Sequence, residues 1–176
     1  MDTLFVGCDH GGFEMKQQIL SFIENISTES SHFDKETVTK IKNLKVKDFG
    51  CFDNKSVNYT DYAEKVCTAV IESNFEFPKQ TPFSTTDALD FPAMGLLICG
   101  SGQGMALKAN KYPNIRAALV WSDEITKLSR EHNNANVLCL PGRFISAEHG
   151  FQFLVSFLTT HFAQGRHSQR VEKINL

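Results

Sequence analysis

The chain has 176 residues with a formal net charge of -2 at neutral pH, and 41% of the residues are hydrophobic. This length fits one domain with a core of its own, and the slightly acidic balance argues against a general nucleic-acid binder. Neither a long uncharged apolar run nor a basic segment followed by an apolar one is visible, so we expect a soluble, cytoplasmic protein.

Short β-type runs alternate with helical periods along the chain, a pattern that predicts a parallel sheet with helices on both faces. We therefore expect a single α/β domain, a three-layer α/β/α sandwich around a Rossmann-like, five-stranded parallel sheet. In chain order, the predicted strands cover residues 4–8, about 46–49, 94–99, 117–120 and 137–140.

Helical spacing of apolar residues marks the segments between these strands. One helix follows the first strand, and others cover about residues 61–73, 122–132 and 147–163, with a further helix-like stretch after residue 104. The side chains expected to face the core are Met15, Ile19, Phe22, Ile26, Tyr62, Val66, Val70, Phe151, Leu154, Leu158 and Phe162.

Two polar insertions interrupt this regular alternation, at about residues 27–45 and 74–92. The first is rich in serine and lysine, and the second contains three prolines among Ser, Thr and Asp residues. Both follow a helix and precede a strand, so in a right-handed arrangement they lie at the amino-terminal edge of the sheet. Ligands bind at the opposite edge, and we expect both insertions to leave the chemistry alone.

The five cysteines are an odd number without a C-x-x-C pair. This usage fits a reducing compartment better than a disulfide framework or a zinc knuckle. We therefore expect no metal site in the chain.

The junction after the third predicted strand is the most informative feature of the sequence. The apolar run ends at Cys99 and is followed directly by Gly100-Ser101-Gly102-Gln103-Gly104. A strand, a glycine-rich turn and a helix start direct several backbone N–H groups at one spot and create a site for negative charge. A thiol there is favoured as the thiolate, which serves as base or nucleophile. The simpler alternative is a buried cysteine that fills the strand end.

Further polar groups are expected at the same edge of the sheet. Asp9 and His10 follow the first strand, and Arg143 follows the fifth. Gly11 and Gly12 directly follow His10 and remove side-chain bulk where a ligand could approach the backbone. The alternative for Asp9 is a loop carboxylate that caps the first helix.

Arg166 and Arg170 are four residues apart, so on a helical turn they share a face and an anion between them would relieve their repulsion. Arg143 could complete a three-arginine phosphate cluster, and the alternative is a frayed basic end. His132 ends a predicted helix, in line with its apolar positions. It is either the last inward residue or an imidazole that reaches the ligand from the same sheet edge for proton transfer.

Together these motifs resemble the ribose-5-phosphate isomerase B family in order and spacing. The matching segments are residues 7–13 (GCDHGGF), 98–104 (ICGSGQG), 130–133 (REHN), 136–138 (NVL) and 165–171 (GRHSQRV). The resemblance covers nearly the whole chain apart from the two insertions. Two positions depart from the family pattern: Thr60 follows Tyr59 where proline is common, and Gln103 replaces a small apolar residue.

The resemblance implies a metal-free and cofactor-free aldose-ketose isomerase. It would interconvert D-ribose 5-phosphate and D-ribulose 5-phosphate through an enediolate, in the non-oxidative branch of the pentose phosphate pathway. Cys99 matches the position of the base, Ser101 would relay protons between the substrate oxygens, and Asp9 and His132 would assist ring opening.

The resemblance also implies which residues bind the phosphosugar and how the protein assembles. The turn amides would form an anion hole, Tyr59 and Asn133 would contact the sugar, and a histidine and three arginines would hold the phosphate. The full implied set is His10, Tyr59, Gly100, Gly102, Gln103, Gly104, Asn133, Arg143, Arg166 and Arg170. Family members are dimers with shared sites, so we expect a homodimer, with a tetramer as the alternative.

Other functions stay open at this point. Galactose-6-phosphate isomerase subunits share the first-strand and glycine-loop motifs but typically lack a histidine matching His132, and allose 6-phosphate is a possible six-carbon substrate. A non-catalytic sugar-phosphate sensor would need neither Cys99 nor His132. A dinucleotide site is disfavoured because Met105 stands at the sixth place of the loop. A P-loop is excluded because this loop does not end in Gly-Lys-Ser/Thr.

Overall fold

The computed structural model describes residues 2–29, 32–75 and 91–174. Five strands form one sheet in the order β2-β1-β3-β5-β4, and every neighbouring pair is parallel. The strands are β1 (Thr3–Cys8), β2 (Lys45–Asp48), β3 (Ala93–Cys99), β4 (Ala117–Leu119) and β5 (Val137–Pro141). The predicted α/β fold is confirmed, and each predicted strand boundary lies within one residue of the observed one.

Helices fill the connections between the strands. They are α1 (Phe13–Asn25), α2 (Lys35–Lys42), α3 (Tyr59–Phe75), α4 (Gln103–Ala109), α5 (Asp123–Glu131), α6 (Ala147–Thr159) and α7 (Ser168–Ile174), with a 3-10 turn at Gly165–His167. Across the described part of the chain, none of these helices is both long and apolar enough to cross a membrane.

Two helical layers cover the two faces of the sheet. Helices α1, α2, α5 and α6 pack together on one face, and α3 and α4 pack on the other. Successive strand residues point to opposite faces, so Leu96 and Ile98 join the first layer while Leu97 and Cys99 join the second. The core therefore has two halves, and the Cys99 side chain points toward α3 and α4.

The direction of the chain reverses between β1 and β3. From β1 the chain moves to β2, the outermost strand at one end of the strand order. From β3 it moves to β4, the outermost strand at the opposite end, and then returns to β5. The carboxyl ends of β1 and β3 therefore border a crevice, and in open α/β sheets ligands bind at such a switch point.

The first polar insertion contains a helix that the sequence analysis missed. The Asp34 side chain accepts a hydrogen bond from the Thr37 N–H at 2.8 Å and so caps α2, whose Val38 and Ile41 are buried. The second insertion falls largely on residues 76–90, which lie outside the described residues. Helix α3 continues to residue 75, two residues beyond its predicted end.

Helix α6 ends four residues before its predicted end, so the interpretation of Phe162 as an inward helical residue is wrong. Thr160 adopts an extended backbone with ψ 127°, and its carbonyl accepts a hydrogen bond from the Arg130 Nε at 3.2 Å. The Ala163 N–H then donates to the Glu131 carbonyl at 3.0 Å. These contacts with the end of α5 turn the chain away from the helical path.

A buried lysine on α1 anchors the segment after β2. Lys16 is fully buried, and its Nζ donates to Asp48 Oδ2 at 2.6 Å and to the Cys51 carbonyl at 2.7 Å. The Cys51 N–H in turn donates to the Cys8 carbonyl at 2.8 Å. This network ties the segment that leads toward Tyr59 to the carboxyl end of β1.

Candidate active site

Glycines allow the loops after β1, β3 and β5 to pack directly against one another. A Cβ atom on Gly12 would lie 2.4 Å from the Ile98 carbonyl oxygen, and one on Gly11 would lie 3.0 Å from the Gly100 nitrogen. A Cβ on Gly142 would lie 3.2 Å from the Gly11 carbonyl oxygen. Side chains at these positions would force the loops apart, so the glycines fix the geometry of the switch point.

Cys99 lies at the end of β3 with 5% of its surface exposed, against the turn that follows it. The Gly102 N–H donates a hydrogen bond to Cys99 Sγ at 3.1 Å. Gly102 adopts the left-handed conformation with φ 73°, which brings its amide back toward the sulfur before α4 begins. A donor aimed at sulfur stabilises a thiolate more than a neutral thiol, because the donor faces a full negative charge.

Three other cysteines have no comparable surroundings. Burial raises the pKa of the Cys67 thiol to about 12, and burial likewise raises the pKa values of Cys8 and Cys139. These thiols stay protonated at neutral pH and pack as apolar side chains.

Tyr59 packs against the glycine turn, and Ser101 is part of that turn. A Cβ on Gly104 would lie only 2.8 Å from Tyr59 Cζ, so the tyrosine ring covers the turn directly. Tyr59 remains 38% exposed, which leaves part of its ring free to contact a ligand. The Ser101 Oγ accepts a hydrogen bond from the Gln103 N–H at 3.4 Å, and Ser101 is exposed.

The loop after β1 carries Asp9 and His10. Asp9 is buried, and its Oδ1 accepts hydrogen bonds from the Gly11 N–H at 2.8 Å and the Gly12 N–H at 3.1 Å. Asp9 therefore holds the loop amides before α1, whose N-cap residue is Gly12 without a side-chain cap, so the helix-capping role considered for Asp9 is wrong. The Val57 N–H donates to His10 Nδ1 at 3.4 Å, an arrangement that leaves Nε2 of the neutral ring as a donor.

Arg143 belongs to the same edge of the sheet. Its N–H donates to the Gly100 carbonyl at 3.0 Å, and its Cδ and Nε lie 3.4 Å from where a Cβ on Gly100 would be. The exposed guanidinium thus projects beside the turn and adds positive charge there. The structure brings together the side chains that the sequence places after β1, β3 and β5.

His132 and Asn133 lie at the opposite edge of the sheet. Helix α5 starts after β4 and runs back along the sheet, so its end comes near the start of β4. Arg116 directly precedes β4, and its Nε donates to the Asn133 carbonyl at 3.0 Å. The expectation that His132 reaches the ligand edge within one chain is therefore wrong, because a helix that returns from a strand end finishes at the other edge.

The basic tail is also at this amino-terminal edge. His167 stacks on His132 with ring centroids 4.2 Å apart and an interplanar angle of 7°. Arg166 and Arg170 are exposed on the 3-10 turn and α7. The tail is helical and docked, not frayed, but Arg143 at the other edge cannot complete their cluster within one chain.

His167 is a candidate that the sequence analysis missed. His167 is 8% exposed, and its pKa is lowered by burial and by the neighbouring His132, Arg166 and Arg170. The signal in the sequence was its position between the two arginines, inside one of the recognised motifs.

A switch-point crevice with a strand-end thiol, turn amides and cationic side chains defines an α/β enzyme that acts on a small anionic substrate. Comparison with known proteins sharpens this class. The chain matches the sequence model of the Ribose/Galactose Isomerase family over residues 4–78 and 88–174, and it belongs to that family.

Individual relatives agree over almost the full length. Ribose-5-phosphate isomerase B of Escherichia coli is 29% identical over 174 residues, covering 99% of this chain and 95% of that protein. The crystal structure of a ribose 5-phosphate isomerase from Thermotoga maritima matches with a TM-score of 0.76 at 34% identity, covering 99% and 97% of the two chains. The Mycoplasma genitalium ribose-5-phosphate isomerase B with bound ribulose-5-phosphate matches with a TM-score of 0.76 at 30% identity, covering 98% and 93%. The chain is an isomerase of sugar phosphates.

Proposed function

We propose that this enzyme interconverts D-ribose 5-phosphate and D-ribulose 5-phosphate, with Cys99 as the base. The observation that carries the proposal is the 3.1 Å hydrogen bond from the Gly102 N–H to Cys99 Sγ at the switch point. It puts a thiolate-stabilising donor and a potential base in one place. The names of the relatives, and the ribulose-5-phosphate bound to the Mycoplasma genitalium protein, favour the five-carbon substrate.

The chemistry requires a base and an oxyanion site together. The Cys99 thiolate removes the proton from C2 of the open-chain aldose, and the electron pair moves into a C1–C2 double bond as negative charge develops on O1. Amides of the turn stabilise this oxyanion. The exposed Ser101 hydroxyl relays a proton from O2 to O1, and the thiol returns its proton to C1 to give the ketose.

Groups away from the reacting carbons hold the substrate. The His10 Nε2–H and the Arg143 guanidinium provide donors for the phosphate at the carboxyl edge of the sheet. The exposed part of the Tyr59 ring contacts the sugar. Binding energy gained at the phosphate orients C1 and C2 for proton transfer.

The remaining site residues are supplied by a second copy of the chain. His132, Asn133, Arg166 and Arg170 share the amino-terminal edge, so they meet Cys99 only if this edge of one subunit faces the carboxyl edge of another. Two large apolar side chains on loops at the carboxyl edge favour a covered surface: Trp121 is 61% exposed and Phe144 is 76% exposed. We therefore propose a homodimer in which His132 of the partner subunit assists ring opening with Asp9.

The substrate and the product are both phosphorylated and do not cross membranes unaided. For this reason we place the reaction in the cytoplasm.

A coupled assay with ribose 5-phosphate and allose 6-phosphate, with and without a chelator, tests the function. We expect chelator-resistant turnover that favours ribose 5-phosphate. Substitution Cys99→Ala should lower kcat at least about a hundredfold, because the proton-transfer step loses its base, while ribulose 5-phosphate still binds in calorimetry.

Cys67→Ala is the matched control, since Cys67 is a fully buried cysteine on α3 that faces the core. It removes one sulfur and should leave kcat within about twofold of the wild-type value. Wild-type turnover in the Cys99→Ala protein would refute the assignment of the base. Turnover of allose 6-phosphate alone would refute the substrate.

A further inference from the structure

The two histidines at the amino-terminal edge pack face to face. His132 is the residue that ends α5, where its N–H donates to the Leu128 carbonyl, and His167 comes from the 3-10 turn in the tail. Their ring centroids are 4.2 Å apart and the rings are nearly parallel, at 7°. Such close stacking favours at most one positive charge on the pair, because two imidazolium rings would repel each other.

His167 is the more constrained partner. It is buried, its N–H donates to the Gln164 carbonyl at 3.1 Å, and Arg166 Nε donates to its Nε2 at 3.4 Å. Burial, followed by the neighbouring His132, Arg166 and Arg170, lowers the pKa of His167, which favours its neutral form. Val171, one turn further along α7, is buried and anchors the segment.

We propose that His167 is a positioning residue for His132: its buried, stacked ring is a flat support that orients the His132 imidazole for proton transfer to the sugar ring oxygen. This inference rests on the proposed function, in which His132 assists ring opening. A neutral aromatic face also stabilises a protonated imidazole above it through a cation–π contact. General acids act efficiently only when held close to the productive geometry, which an unsupported residue at a helix end does not ensure.

The Arg166 contact links this support to substrate binding. Arg166 is an expected phosphate ligand and donates to the same His167 ring that stacks on His132. One ring therefore connects the group that holds the phosphate with the group that opens the sugar. Neither the resemblance nor the spacing of the motifs assigns this task to His167.

The test compares variants of His167 that remove or keep a flat ring. His167→Leu and His167→Gln remove the ring, whereas His167→Phe keeps a flat face for His132. We expect kcat for ribose 5-phosphate to fall about tenfold or more in the ring-less variants and to stay within about threefold in the Phe variant. A structural role alone would make all three variants fail in proportion to their loss of thermal stability.

A second measurement separates ring opening from proton abstraction. Ribulose 5-phosphate has no free hydroxyl for a five-membered ring, so deuterium uptake from solvent at its C1 reports on the Cys99 step alone. We expect the ring-less variants to lose at least about fivefold more isomerisation than deuterium uptake. Equal losses in both assays would overturn the proposal.

Histidine ring signals in NMR spectra give a readout that does not depend on turnover. The His132 Cε1–H signal should move when His167 becomes Leu or Gln, because the ring current of its stacking partner disappears, and it should be largely restored by Phe. An unmoved signal in both ring-less proteins would overturn the stack itself. A wild-type protein inactive on ribose 5-phosphate would instead refute the proposed function, while the NMR comparison still decides whether His167 supports His132.

Discussion

At the scale of single residues, Gly104 has no Cβ atom, and this allows the Tyr59 ring to lie directly against it. The tyrosine ring occupies the space of the missing methyl group, 2.8 Å from the position a Cβ would take. Tyr59 is partly exposed and can move, so the conflict is relieved by displacing its ring and not by unfolding the turn. The contact between these two residues therefore positions the side chain expected to touch the sugar.

Substitution Gly104→Ala should raise KM for ribose 5-phosphate about three- to tenfold. The free energy of unfolding should change by less than about 1 kcal/mol, because alanine favours the helical backbone of α4 while the Tyr59 ring is pushed aside. Steady-state kinetics and urea unfolding measure the two effects.

A double-mutant cycle provides the control for this prediction. In a Tyr59→Leu background the ring is absent, so Gly104→Ala should add little to the rise in KM. Additive effects of the two substitutions would contradict the coupling between Gly104 and Tyr59.

At the scale of elements, the Lys16 network joins α1 to the segment after β2. Lys16→Met keeps the apolar stem but removes the ammonium group that binds Asp48 and the Cys51 carbonyl. Removing one partner of a buried pair costs about 3–5 kcal/mol, and the 22% exposure of Asp48 places the expected loss near 2–3 kcal/mol. Thermal unfolding should show a Tm lower by about 5–10 °C.

Lys55→Met is the matched control for this substitution. Lys55 pairs with Asp53 at 3.6 Å, but the lysine side chain is 87% exposed. Exposed pairs contribute little, so Tm should stay within about 1 °C of the wild-type value. Equal losses in the two variants would show that the Lys16 pair does not anchor the segment.

The sequence predicts the elements well wherever one strong pattern controls them. The apolar runs of β1, β3 and β5 place these central strands within one residue, since strands buried in a parallel sheet are apolar throughout. Helix α2 was missed because only Val38 and Ile41 are buried within a polar segment. The end of α6 was misplaced because Phe162 continues the apolar period while contacts with α5 redirect the backbone.

The same limits apply to the site. Residues after β1, β3 and β5 were correctly predicted to lie together, because parallel strands end at one edge. His132 was predicted at the wrong edge. A helix that starts at the carboxyl end of β4 runs back along the sheet, so a residue at its end lies at the amino-terminal edge. The stack with His167 depends on where the tail docks, and no local pattern encodes that docking.

At the scale of the whole molecule, the two edges of the sheet divide the proposed machinery into two incomplete halves. The carboxyl edge carries the base, the turn amides and Arg143, and the amino-terminal edge carries His132 with the tail arginines. An isolated chain should bind phosphosugar weakly and turn it over poorly. A symmetric dimer that pairs opposite edges would form two complete sites.

Co-expression of two differently tagged inactive chains tests this arrangement directly. In a purified heterodimer of Cys99→Ala and His132→Asn chains, one site combines both defects and the other combines Cys99 of one subunit with His132 of its partner. We expect about half of the wild-type activity per dimer, since each symmetric dimer has two equivalent sites.

The reciprocal control pairs a wild-type chain with a chain that carries both substitutions. Each shared site then lacks one group, so this heterodimer should be inactive. If each site used only its own chain, the two results would be exchanged, with activity in the control heterodimer and none in the first.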